Sequence, residues 1–141
     1  KGETINTPSM LAVEDYLVAL KWAQSLGGLS ALIARADANA AAVRDFIADK
    51  DWIADLAEDP ATASTTSVCL KFTDPAIKDG AAFAKAVAKR LEKEGVALDA
   101  GAYRDAPAGL RIWCGSTVEP ADVAALMPWI EWAYRAELAA Q

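Results

Sequence analysis

The chain reads as an α+β protein, a two-layer sandwich in which a small, mostly antiparallel sheet is covered on one face by helices. Two observations point there. Four segments repeat apolar residues at helical spacing, and short segments rich in β-formers separate them in the order α, α, β, β, α, β, α. Helices that flank a short sheet in this mixed order bury their apolar stripes most simply against one sheet face, leaving the other open.

Each element has its own signal. Asn6-Thr7-Pro8-Ser9 is a helix-start signal, with proline and polar capping residues ahead of an apolar periodic run. A first helix is expected over 10–26, its stripe made by Leu11, Tyr16, Leu17, Leu20, Ala23 and Leu26 and stopped by Gly27-Gly28. A second helix is expected over 29–48, with Leu29, Leu32, Ile33, Ala36, Ala40, Val43, Phe46 and Ile47 inward. Arg35, Asp37, Asn39, Arg44 and Asp45 then form its solvated face. Residues 52–56 and 65–72 read as strands; the latter is Thr-Thr-Ser-Val-Cys-Leu-Lys-Phe. Asp79-Gly80 opens a third helix to about Glu94, capped by Gly95, with Phe83, Val87 and Leu91 inward. Residues 96–98 begin an extended segment, and 110–115 is the clearest strand. Glu119-Pro120 starts a last helix to Ala139, with Val123, Leu126, Met127, Ile130, Trp132 or Ala133, and Leu138 inward.

The totals exclude several classes of function. With 141 residues the chain is one domain, long enough for its own core. A net charge of −6 argues against a nucleic-acid surface, which needs a basic patch. No apolar run approaches the roughly 20 residues that span a bilayer, so no membrane role is expected. Lys1-Gly2-Glu3-Thr4 carries neither an initiator methionine nor the apolar stretch of a secretory leader, as expected of a piece or a processed product. Histidine is absent, which removes histidine-based triads, general bases and metal sites. Cys69 and Cys114, far apart and in strand-like segments, read as buried small hydrophobes in a reducing compartment, and no metal motif exists.

Arg111 is the residue that draws attention, an arginine inside the apolar run Gly109-Leu-Arg-Ile-Trp-Cys-Gly115. Strand alternation puts Leu110, Ile112 and Cys114 on one side and Arg111 with Trp113 on the other. If the helices cover the first set, Arg111 faces outward, where its planar fork suits a carboxylate or a phosphate. A solvated sheet face fits the residues equally. Arg104, in the loop Tyr103-Arg104-Asp105-Ala106-Pro107, lies seven residues away across a turn and is placed to share a dianion with Arg111 or to pair locally with Asp105. Asn6 and Thr7 offer an amide and a hydroxyl at a helix start, suited to an anion or to ordinary capping. These are binding features without a nucleophile or a general base.

Several motifs in order carry a family resemblance. Ile5-Asn-Thr-Pro-Ser-Met-Leu11, Glu14-Asp-Tyr-Leu17, Lys21-Trp22-Ala23, Gly27-Gly28-Leu29, Asp59-Pro-Ala61, residues 64–70, Gly101-Ala-Tyr-Arg-Asp-Ala106 and Gly109-Leu-Arg-Ile-Trp-Cys-Gly115 together resemble the C-terminal region of the phosphoserine aminotransferase family, in the branch found in alphaproteobacteria and some archaea. The resemblance implies the small C-terminal domain of an aspartate-aminotransferase-like fold: a lead-in segment 1–9, a linking helix 10–26 and a small domain 27–141. It implies a cytoplasmic homodimer that uses pyridoxal 5′-phosphate and moves an amino group between O-phospho-L-serine/3-phosphohydroxypyruvate and glutamate/2-oxoglutarate, in serine and pyridoxine synthesis. The missing N-terminal large domain would carry the cofactor-bearing lysine, so this chain alone is expected to be inactive. Position by position, Asn6 and Thr7 match the pair that reaches the cofactor phosphate of the neighbouring subunit. Arg111 matches the arginine for the substrate α-carboxylate, and Arg104 an arginine for the substrate phosphate. Tyr103 stands where many members have histidine, and Pro107 lengthens the loop. The alternatives are a stand-alone module for small anions and the small domain of another class V transaminase, such as a serine–glyoxylate enzyme. The face bearing Trp113 is expected to promote self-association.

Overall fold

The computed structural model describes residues 3–141. Lys1 and Gly2, the start of the 1–9 lead-in, lie outside the described residues. The elements run α1 (Met10–Ser25), α2 (Gly28–Ile47), β1 (Ile53–Asp55), β2 (Ser67–Phe72), α3 (Gly80–Lys93), β3 (Leu110–Trp113) and α4 (Pro120–Ala139), with a 3-10 turn at Pro60–Thr62. This is the expected order. The chain divides into two compact units, 3–34 of the described residues and Arg35–Gln141.

In the larger unit three strands form an antiparallel sheet in the order β1-β2-β3. Val68 and Leu70 of β2 and Leu110 and Ile112 of β3 alternate inward, as the period-two pattern requires, and each is at most 4% exposed. They meet Ala40 and Val43 of α2, Phe83, Val87 and Leu91 of α3, and Val123, Met127, Ile130 and Ala133 of α4 in one core. Ser67, Cys69 and Lys71, with Arg111 and Trp113, alternate to the opposite face. Register pairs Cys69 with Arg111 and Ser67 with Trp113.

The caps follow from local chemistry. Asp79 accepts from Ala81 and Ala82 N–H, both at 3.0 Å, and starts α3. The helix ends in a Schellman arrangement, with Gly95 N–H donating to Glu92 O (2.9 Å) and Val96 N–H to Leu91 O (3.1 Å). Gly95 sits at φ +70°, where a side chain would be strained. This turn also explains why 96–98 is not a strand. Val96 spends its N–H closing the helix, and Leu98 is left exposed. The edge of β3 is met one step later, by the isolated bridge Gly101–Leu110 and by Arg111 N–H donating to Ala100 O at 2.9 Å. Gly109 is fixed by close approach: a Cβ there would fall 1.9 Å from the Leu70 carbonyl oxygen.

Several sequence expectations are corrected. Ser9, not Asn6, caps α1, accepting from Ala12 N–H at 3.4 Å; the Asn6 side chain accepts from its neighbour Thr7 N–H at 2.9 Å. No residue of α1 is buried, and Leu29 and Ile33 at the start of α2 are exposed as well, because residues 3–34 have no core of their own to receive the stripe. Asn39, read as solvated, is fully buried, and Arg35 is tied down, for reasons given below. Trp132 is half out while Ala133 and Tyr134 turn inward. Tyr134 stacks on Trp52 with ring centres 4.0 Å apart, and its hydroxyl donates to Asp74. Cys114 is buried as expected, but Cys69 is only half-buried on the outer sheet face. No single helix among the described residues is long and apolar enough to cross a membrane.

Candidate functional site

The site grows from the outer edge of β3, where Arg111 N–H meets Ala100 O. Strand alternation delivers Arg111 and Trp113 to the uncovered side, and Trp113 remains 57% exposed there. A pocket of about 460 Å³ opens between this edge, residues 96–100 and the first turns of α4. Its walls are largely apolar: Val96, Leu98, Ile112, Val118, Val123 and Leu126. Arg111 is the only cation among the described residues that line it, and Asp99 and Asp122 are the acids in the same lining.

Arg111 Nη2 donates to Asp99 Oδ2 at 2.7 Å. The Tyr103 ring lies 5.9 Å from the guanidinium carbon, at the outer range of a cation–π contact. Sequence reasoning did not find Asp99. The available signal was an aspartate beside Ala100-Gly101, since aspartate tolerates the left-handed backbone that this turn adopts at φ +53°.

A second device holds the far end of β3. The Asn39 amide nitrogen of α2 donates to Cys114 O (3.2 Å), Gly115 O (3.1 Å) and Val118 O (3.0 Å). One turn earlier, Arg35 Nε donates to Ser116 O at 2.8 Å and its Nη2 to Glu119 at 2.7 Å. The Arg35 guanidinium holds the Glu119 carboxyl below the usual carboxylate range. Residues read as a solvated face therefore clamp the β3–α4 turn, whose Val118 is a wall of the pocket. The pattern hid this because the partners are backbone carbonyls of a distant turn.

One further candidate of the same unit is not brought to this pocket. Arg104 lies on the exposed turn closed by Ala106 N–H donating to Tyr103 O, forms no ion pair with Asp105, and is not among the lining residues. Asn6 and Thr7 are exposed in the other unit. Among the described residues, neither the Asn6 amide nitrogen nor the Thr7 hydroxyl has a protein partner, so both donors are available to an anion. The described residues contain no cluster of acidic or thiol groups that could hold a metal ion.

No protein-family model matches the chain. It is 54% identical over 136 residues to a phosphoserine aminotransferase of Methanosarcina barkeri, covering 95% of this chain and 35% of that protein. The Methanosarcina mazei phosphoserine aminotransferase is 53% identical over the same shares. Among solved structures, the phosphoserine aminotransferase from Bacillus circulans subsp. alkalophilus superposes with a TM-score of 0.79 at 21% identity, over 93% of this chain and 34% of that one. The chain thus spans about a third of the length of the relatives it matches. In sequence and in fold, it is homologous to the C-terminal part of phosphoserine aminotransferases.

Proposed function

We propose that the chain serves as the C-terminal, substrate-binding and dimer-contributing part of a cytoplasmic phosphoserine aminotransferase. That enzyme moves an amino group between O-phospho-L-serine/3-phosphohydroxypyruvate and glutamate/2-oxoglutarate. The observation that supports this most is Arg111, presented by β3 to a largely apolar pocket between the β3 edge and α4 in a chain 54% identical to a named relative.

The chain's own residues do three things in this reading. Arg111 binds and orients the carboxylate common to all four reactants, because a guanidinium can take a carboxylate through two parallel N–H donors. The apolar walls beside it exclude water and strengthen that attraction. Asn6 and Thr7 suit the phosphate of pyridoxal 5′-phosphate, offering a free amide and a free hydroxyl as donors to its oxygens. Bound pyridoxal 5′-phosphate supplies the electron sink on which amino transfer depends. The lysine that carries it is assigned to the large N-terminal domain, so the chain alone is inactive.

A second reading has a specific observation behind it. Among the described residues the pocket holds a single cation, enough for a carboxylate, and Arg104 is not in its lining. An aminotransferase for a substrate without a phosphate would need no more. The full-length enzyme decides. Turnover of phosphoserine with 2-oxoglutarate far above that of serine, with the preference reduced in Arg104→Glu, supports the first reading. Equal turnover of serine overturns it, as does activity of the chain alone.

A further inference from the structure

We infer that Asp99 is a built-in competitor for the ligand of Arg111, an internal carboxylate that occupies the guanidinium until an incoming one displaces it. Asp99 thereby sets both the affinity of the pocket and its preference among anions. The inference rests on the reading of Arg111 as a carboxylate-binding residue.

Four observations carry it. The Asp99 carboxylate already makes the contact that a ligand would make, 2.7 Å from Arg111 Nη2. The contact is easily surrendered, since the Asp99 side chain is 86% exposed and regains water on leaving, whereas Arg111 is 30% exposed and needs a partner. The aspartate is presented deliberately: it is the one non-glycine residue at positive φ among the described residues, and the adjoining Ala100 carbonyl is tied to Arg111 N–H at 2.9 Å. The backbone therefore keeps residue 99 beside the arginine after its side chain lets go. Finally, Asp122 also lines the pocket and, among the described residues, no second cation does, so the lining offers two carboxylates against one guanidinium.

The consequence is selective. A displaced but nearby Asp99 repels every anion, and repels a dianion more than a monoanion. A structural role for Asp99, steadying the Arg111 rotamer, makes the opposite prediction: removing its charge would loosen the arginine and weaken binding.

The test is calorimetric titration of the full-length enzyme with propionate and with glutarate, which requires no turnover. Asp99→Asn keeps the size of the side chain and its tolerance of positive φ while removing the charge. Affinity is expected to rise about twofold to fivefold, the range an exposed ion pair carries, and to rise more for glutarate than for propionate. Unchanged or weaker binding in Asp99→Asn overturns the inference, as does an equal gain for both ligands. Arg111→Ala is the reference arm. If it leaves propionate affinity intact, the carboxylate-binding reading itself fails; if it abolishes binding while Asp99→Asn gains nothing, only the competitor role fails.

Discussion

Replacing Asn39 with alanine tests whether α2 clamps the end of the strand that bears Arg111. The Asn39 side chain is fully buried, and its one NH2 group faces three carbonyls, those of Cys114, Gly115 and Val118, at 3.0–3.2 Å. Its two hydrogens can serve about two of these well at once, so truncation removes roughly 2–3 kcal/mol of net hydrogen bonding, each bond being worth about 1 kcal/mol. The Asn39 carbonyl oxygen has no partner, and losing that orphan returns part of the cost. The expected net loss is about 1.5–2.5 kcal/mol, read as a lower urea midpoint at unchanged slope. Amide signals of residues 114–118 should shift and lose exchange protection together. Asn39→Asp should do worse, since a carboxylate would face three carbonyl oxygens. Its folded-state pKa would be raised, so its stability should recover as pH falls through the carboxylate range. An Asn39→Ala chain within about 0.5 kcal/mol of the parent, with the 114–118 signals unmoved, would refute the clamp.

Two further outcomes follow from the core. Burial, reinforced by the hydrogen bond to Asp74, raises the Tyr134 hydroxyl from 10.0 to about 12. A raised folded-state pKa stabilises at pH values below the unfolded one, so stability should be full below pH 10 and fall as pH rises toward about 12; Tyr134→Phe should flatten that decline in urea titrations. The same bond lowers the Asp74 carboxyl, so acid should erode stability as pH falls through the lowered value, and Tyr134→Phe should blunt that loss too. Gly109→Ala drives a Cβ to 1.9 Å from the Leu70 carbonyl oxygen, and should cost about 2 kcal/mol or more in urea unfolding while disturbing the β2–β3 pairing beside Arg111.

Element order was legible because it rests on local rules. Apolar spacing fixed α3, whose Phe83, Val87 and Leu91 all reached the core, and alternation in β3 put Arg111 and Trp113 outside. The errors fell where a partner lies far along the chain. Asn39 and Arg35 are polar residues on a helix, and nothing local reveals that they bond to a turn some 75–84 positions away. The α1 stripe has the period of a buried helix but no buried residue, since periodicity reports an apolar face and not its partner. At the site, Arg111 was conspicuous as a charge in an apolar strand. Asp99 was not, because its role depends on a left-handed turn that brings it back across the sheet edge.

The account stands on Arg111 as the carboxylate-binding group, and the direct measurement is kcat/KM of the full-length enzyme for glutamate in Arg111→Ala and Arg111→Lys. The prediction is a loss of about a hundredfold or more in Arg111→Ala, the cost of truncating a desolvated charge pair. Arg111→Lys should recover only part of it, since lysine keeps the charge but not the planar fork. A kcat/KM within about threefold of the parent enzyme in Arg111→Ala, a change of under 1 kcal/mol, would contradict the account.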